Sequence, residues 1–205
     1  MTERPIRPRK DRETGADLVC GVLLAAGSGS RFGDPTHKLL ADLRGRPVYR
    51  WALDAVLGAG FDHVIVVTGA AALDLPENVH ATHNERFADG QATSLHAGVQ
   101  AATELGADVI VVGLADQPFV TTEAWRAVAA SSATIAVATY AGQRANPVLF
   151  RRSIWSQLPS EGDQGGRSLI DLRPELVSEV PCSGSFADID TMEDLQQWNS
   201  STNSP

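Results

Sequence analysis

Cysteine is scarce in this chain. Cys20 and Cys182 are its two, and neither belongs to a Cys-x-x-Cys pair. A disulfide framework and a zinc site are therefore not expected, and a reducing cytoplasm fits this usage. Basic residues are in deficit: 17 Lys and Arg stand against 25 Asp and Glu, for a net charge of −8. A nucleic-acid partner, which calls for a basic face, is excluded on that balance. Long apolar runs are missing too, none approaching the ~20 residues of a membrane span. The opening "MTERPIRPRKDRETGAD" has charge but no apolar stretch, so it does not read as a secretory signal. No Gly-x-Ser-x-Gly elbow occurs, which argues against a hydrolase of that kind. His80 and His83, three apart in "HATH", would face opposite sides of a strand, so they are not expected to share a metal.

What is present is a regular alternation. In 205 residues, one domain is expected over 18–198, flanked by a mixed-charge disordered tail at 1–17 and a polar tail at 199–205. "LVCGVLLA", "HVIVVTG" and "DVIVVGLADQP" are continuous apolar runs, the pattern of strands covered on both faces. "NVHATHN", "TIAVATY" and "NPVLF" read as further strands. Between them, "PVYRWALDAVLGAG" carries Val48, Trp51, Ala52, Ala55 and Val56 at helical spacing, with Pro47 suited to its first turn. Leu95, Val99, Ala102 and Leu105 form one face of a second helix, and "EAWRAVAASS" is a third. Thr191 and Asp194 form a capping pair at the start of the last helix, "TMEDLQQW". Strands alternating with helices predict a Rossmann-like three-layer α/β/α sandwich with a mostly parallel sheet, and ligands in such folds bind beyond the carboxyl ends of the strands.

At the first of those ends stands "LLAAGSGSRFGDPTHK". Gly27, Gly29 and Gly33 are spaced one residue too long for the dinucleotide fingerprint, and the second strand ends in Thr68-Gly69 without a ribose-binding acid. Lys38 lies between His37 and Leu39, which rules out a Walker loop. A plain flexible connection would explain the glycines and serines. It would not explain why Arg31 and Lys38 bracket them. Glycines that let the backbone approach an anion, successive N–H groups and two cations together predict a phosphate site.

Acids occupy the other strand ends. Asp116 closes the most apolar strand, and Pro118 keeps a helix from starting there. It reads either as a turn or N-cap aspartate or as a ligand for a cation, since a carboxylate at the mouth of a buried strand needs compensation. Asp188 and Asp190 alternate along "FADID" and would point the same way on an extended chain, although Asp190 could instead belong to the last helix. Ser94 or Thr93 is expected to cap the helix that follows "DGQA".

The run Leu24-Ala25-Ala26-Gly27-Ser28-Gly29-Ser30-Arg31-Phe32-Gly33, with Lys38 five residues on, resembles the signature of MobA-like nucleotidyltransferases, within them most closely the molybdenum cofactor cytidylyltransferases. The likeness continues at "DGQATSLHAG", "GLADQPFV", "NPVLF", "GDQGGRSL" and "DIDTMEDL". It implies a nucleotide-diphospho-sugar transferase-like fold and transfer of CMP from CTP to the terminal phosphate of molybdopterin, with Mg²⁺ as cofactor. By the same resemblance Arg31, Lys38 and Asp116 are catalytic, and Leu24 to Arg31, Gly33, Lys38, Gly90, Ser94 and Asp116 bind nucleotide. Gly165, Gly166 and Arg167 face the acceptor, and Asp116 and Asp190 hold the metal. Ala26 stands where GTP-using relatives carry glycine, which implies CTP. Two family positions differ: Gln91 replaces a methionine and Asn146 replaces the histidine of "HPV". Transfer to another phosphate acceptor (a sugar or an alcohol phosphate), or a non-catalytic factor that delivers cofactor to a molybdoenzyme partner, are the alternative readings.

Overall fold

The computed structural model describes residues 15–30, 32–33 and 36–200. Arg31, most of the expected N-terminal tail and residues 201–205 lie outside them. Among the described residues nine strands and five α-helices follow one another: β1 (Val19–Ala25), β2 (Asp42–Leu43), β3 (Arg46–Pro47), α1 (Val48–Gly58), β4 (His63–Thr68), β5 (His80–His83), α2 (Gln91–Glu104) and β6 (Val109–Leu114). They continue with α3 (Thr122–Ala129), β7 (Ile135–Tyr140), β8 (Gln143–Arg151), α4 (Arg167–Leu172), β9 (Val177–Pro181) and α5 (Met192–Ser200). Seven strands form one sheet in the order β5-β4-β1-β6-β8-β7-β9. Within it, β8 alone runs against its neighbours.

The apolar runs are continuous because both faces of the sheet are covered. Along β1, Leu23 and Ala25 join Leu53 and Val56 of α1 and Trp125 and Val128 of α3 in one core cluster. Cys20, Val22 and Leu24 alternate to the other face and pack with Leu95 and Ala102 of α2 and Leu169 and Ile170 of α4. That alternation is the period-2 geometry of a strand. A side chain of this size contributes about 1.5–3 kcal/mol when fully buried. The expected three-layer sandwich is what forms.

Chain order places the site. After β1 the chain winds outward through β4 to β5, then returns to the opposite side of β1 as β6. The sheet thus has its switch point between β1 and β6, and the loops beyond both strands diverge to leave a crevice there.

Several local expectations change in the folded chain. Pro47 does not open α1. It ends β3 with ψ 140° and precedes the helix, because its backbone is held in the β2–β3 hairpin. Neither Ser94 nor Thr93 caps α2, whose N-cap is Gly90 with no side-chain cap. Their hydroxyls lie inside the first turn and accept instead from Asn84 Nδ2, at 3.0 and 2.9 Å. At the other end of the chain, α5 includes Asn199 and Ser200, which sequence alone had given to the tail. Asn199 is held there because its Oδ1 accepts from Arg44 N and its Nδ2 donates to Asp42 O. The Thr191–Asp194 capping pair forms as expected, with Asp194 N donating to Thr191 Oγ1 and Thr191 N to Asp194 Oδ2.

Candidate active site

The loop after β1 is held open by a histidine. His37 Nδ1 accepts from Leu39 N at 3.2 Å, so its Nε2 carries the proton and donates to Gly27 O at 2.8 Å. Gly29 takes φ +64°, a left-handed turn that a side chain would strain. Among the described residues, the N–H groups of Gly27, Ser28, Gly29 and Ser30 donate to no protein acceptor. Unspent backbone donors lining a cavity are the material of an anion nest. Leu24 to Ser30 do line one, a cavity of about 550 Å³, together with Lys38, Gly90, Ser94, Asp116, Asp188 and Asp190. Gly33 lies off it; Gly90 lines it and packs so closely on the next loop that a Cβ there would stand 2.5 Å from Gly162 O.

Lys38 reaches across this cavity. Its Nζ lies 2.6 Å from Asp116 Oδ2 and 2.6 Å from Asp190 Oδ1. The two carboxylate oxygens therefore cannot be further apart than twice that distance, although the residues come from separate segments of the chain. Burial alone would lower the Lys38 pKa, but the charges and hydrogen bonds of Asp116 and Asp190 outweigh it and the pKa rises. Lys38 is a fixed cation. Its side chain is only 12% exposed, so this cluster is not a solvent-screened surface pair.

Three segments deliver these groups. Asp116 follows β6, and its backbone O accepts from Ile189 N at 2.9 Å, which lays the Asp188–Asp190 stretch beside the strand end. Asp190 N donates to Asp194 Oδ2, so the cap of α5 fixes it from behind. Helix α5 is itself seated by Trp198, whose ring meets that of Phe119 at 3.9 Å between centroids. Asp188 and Asp190 belong to no strand, yet both line the same cavity as the alternation predicted.

Asp116 Oδ1 is buried and, among the described residues, has no hydrogen-bond partner. An orphaned carboxylate oxygen in this position fits a bound cation, since leaving such a group unmatched is unfavourable. Among the described residues no three His, Cys, Asp or Glu side chains converge on one metal position.

A second cavity of about 420 Å³ adjoins the first, and Leu24, Gln91, Leu114, Asp163 and Asp188 line both. Gly165, Gly166 and Arg167 lie on its wall, where sequence placed the acceptor. Its inner side holds a residue that sequence reading passed over, Gln117, 5% exposed. Gln117 Nε2 donates to Asp188 Oδ1 at 2.6 Å and to Phe186 O at 3.2 Å, while its Oε1 accepts from Asn146 Nδ2 at 3.0 Å. The Asp188 pKa is raised, chiefly by burial and then by the nearby charges of Asp116 and Asp190, against the lowering effects of Gln117 and Lys38. An amide directly after the strand-end acid, in Asp116-Gln117-Pro118, was the one available signal. His37 carried none, because its two contacts depend on how the loop folds back.

Comparison with known proteins fits this arrangement. The profile of the MobA-like NTP transferase domain matches residues 21–179, a span that includes Lys38 and Asp116 and ends before Asp190. The chain is 34% identical to the purine catabolism protein PucB of Bacillus subtilis (strain 168) over 193 residues, covering 86% of this chain and 93% of that one. It is 30% identical to the nicotine blue oxidoreductase of Paenarthrobacter nicotinovorans over 203 residues, covering 89% and 97%. The crystal structure of Rv0371c from Mycobacterium tuberculosis H37Rv superposes with a TM-score of 0.76 at 30% identity, covering 91% of this chain and all of that one. A complex of Rv0371c with manganese superposes with a TM-score of 0.74 at 27% identity, covering 90% of this chain and all of that one. With a glycine loop, a lysine and a strand-end aspartate facing one crevice, and a match running through all three, the chain belongs to the MobA-like NTP transferase family of nucleotidyltransferases.

Proposed function

We propose that this protein transfers CMP from CTP to the terminal phosphate of molybdopterin, or of its molybdenum form, and releases pyrophosphate. The observation that carries the reading is the convergence of Lys38, Asp116 and Asp190 in a cavity walled by free loop N–H groups and open to a second cavity. A triphosphate fits the first cavity by charge: the N–H groups of Gly27 to Ser30 and the Lys38 ammonium face it, and Arg31 belongs to the same loop. An oxygen of the acceptor phosphate attacks the α-phosphorus, the bond from that phosphorus to the β-phosphate oxygen breaks, and pyrophosphate takes the electron pair. The attacking phosphate is already ionised, so no residue need act as general base. The protein's work is alignment and charge neutralisation.

Asp116 and Asp190 are the residues that would hold Mg²⁺. When bound, the ion supplies positive charge to the triphosphate oxygens. Lys38 now spans both carboxylates; with nucleotide present its ammonium is placed to turn toward phosphate. Ala26, lining the cavity just beyond β1, is the residue on which CTP rather than GTP rests by family likeness. Gly165, Gly166 and Arg167 would meet the acceptor, with Arg167 at the exposed rim as its cation.

The test is pyrophosphate release from CTP and molybdopterin with Mg²⁺, run beside a panel of sugar and alcohol phosphates. Release with molybdopterin alone is the expected result. Release with another acceptor reassigns the substrate, and tight binding without release makes the protein a carrier.

A further inference from the structure

His37 joins two parts of the first cavity: the glycine loop that begins at Gly27 and the short 3₁₀ turn Lys38–Leu40, which carries the lysine. Its Nδ1 accepts from Leu39 N at 3.2 Å and so caps that turn, while His37 O accepts from Leu40 N at 2.8 Å. Leu39 is 3% exposed, which roots the turn in the core. With Nδ1 committed as an acceptor, the proton sits on Nε2, which donates to Gly27 O at 2.8 Å. The ring also lies against Gly29, where a Cβ would stand 3.3 Å from His37 Nε2.

Holding Gly27 O fixes the rest of its peptide unit. In a planar trans peptide the carbonyl oxygen and the following N–H point in opposite directions. With Gly27 O tied to the imidazole, the Ser28 N–H is turned away from His37. Gly27, Ser28 and Gly29 line the cavity and His37 does not, so the side away from the ring is the cavity side. Among the described residues Ser28 N donates to no protein acceptor. The Gly29 peptide is held in the same manner, its O accepting from Phe32 N at 3.0 Å, which sets the Ser30 N–H opposite. Glycine leaves the backbone at both places free to turn. These donors keep one direction only while the two carbonyls are held.

We propose that His37 is a positioning residue of the phosphate loop: through Gly27 O it aims the Ser28 N–H at the triphosphate, and through Leu39 N it locks that donor to the segment bearing Lys38. This rests on the first cavity being the triphosphate site, as proposed above. Both ring nitrogens are spent on backbone, so His37 acts through Ser28 and not on the phosphates themselves.

The experiment measures binding of inorganic tripolyphosphate, with Mg²⁺, to the full chain by calorimetry. This probe carries neither base nor acceptor, so it reads the phosphate site alone. His37→Asn and His37→Ser keep an oxygen able to cap the turn but are too short to reach Gly27 O. His37→Gln keeps an N–H at the reach of Nε2 and gives up the cap. The two shorter variants are expected to bind at least about ten-fold more weakly than the unaltered chain, with His37→Gln within about three-fold of it. A residue that only stabilised the turn would give the reverse order, with His37→Gln the weakest. Two short variants are used so that one that fails to fold leaves the other to decide. The reverse order, unchanged affinity in a folded short variant, or equal losses in all three overturns the inference and leaves nucleotidyl transfer standing. An unaltered chain that does not bind tripolyphosphate overturns it together with the triphosphate reading of the cavity. The expected order without pyrophosphate release from CTP sinks the transferase reading alone.

Discussion

The two cavities share five residues and a floor, yet they are built from different materials. The first is made of charge and bare backbone: Lys38, Asp116, Asp190 and the N–H groups of a glycine loop. The loop and Asp116 follow β1 and β6, at the switch point of the sheet, and the stretch before α5 brings Asp190 beside them. The second is made of amides and apolar side chains drawn from β6, β7, β8 and α4, with charge confined largely to its rim and to Asp188. Charge on rigid strand ends suits a chemical step common to many substrates, because a phosphate looks the same whatever it is attached to. Oriented amides suit discrimination, because reversing one donor changes which molecule fits.

If the charged half performs the chemistry, its loss must be the largest effect. Asp116→Asn and Asp190→Asn are each expected to abolish Mg²⁺-dependent pyrophosphate release. The double variant should be little worse than either, since groups acting as one unit are not additive. Additive losses would mean that the two carboxylates work separately.

Lys38→Ala should lower turnover by about two to three orders of magnitude, equivalent to roughly 3–4 kcal/mol of transition-state stabilisation. It sharpens the comparison further in the resting protein. Without the ammonium the repulsion between Asp116 and Asp190 grows, so added Mg²⁺ should raise the melting temperature of Lys38→Ala more than that of the unaltered chain. Equal shifts would show that the carboxylates do not share an ion.

Base choice comes next in size. The ratio of kcat/KM for CTP over GTP, measured with one acceptor, is expected to exceed unity. A ratio at or below unity rejects the cytidylyl assignment and spares nucleotidyl transfer.

Thr191→Ala removes the hydroxyl that caps α5 and should cost about 1 kcal/mol of stability. Because Asp190 N bonds the same Asp194 carboxylate as Thr191 does, the variant should also weaken Mg²⁺ binding. A melting-temperature loss with unchanged Mg²⁺ affinity would confine Thr191 to the helix.

The smallest effect lies away from both cavities. Partial desolvation and the neighbouring His63 lower the His80 pKa from its ordinary 6.5. The unfolded chain then takes up a proton before the folded one does. The stability of the neutral form is complete above about pH 6.5 and is lost as pH falls through the lowered folded value. His80→Gln should flatten the melting temperature slightly over that window, and an unchanged pH profile would remove His80 from the account.

Much of the fold was legible in the chain itself. Unbroken apolar runs marked β1, β4 and β6 as strands covered on both sides, and the 3.6-residue spacing marked α1 and α2. Three glycines with two cations marked a candidate anion site, and Thr191 with Asp194 announced a cap. These features depend on residues a few positions apart, so local sterics and hydrogen bonding decide them. Some local readings still failed: Pro47, Thr93 and Ser94 were claimed by partners in the hairpin and at Asn84. The meeting of Lys38 with Asp116 and Asp190, 78 and 152 residues away, required the strand order that brings the ends of β1 and β6 side by side. The Asp188–Gln117–Asn146 wall is the same kind of fact. An amide's chemistry is written in the sequence, but which way the Gln117 amide is turned is set by the groups the fold places against it.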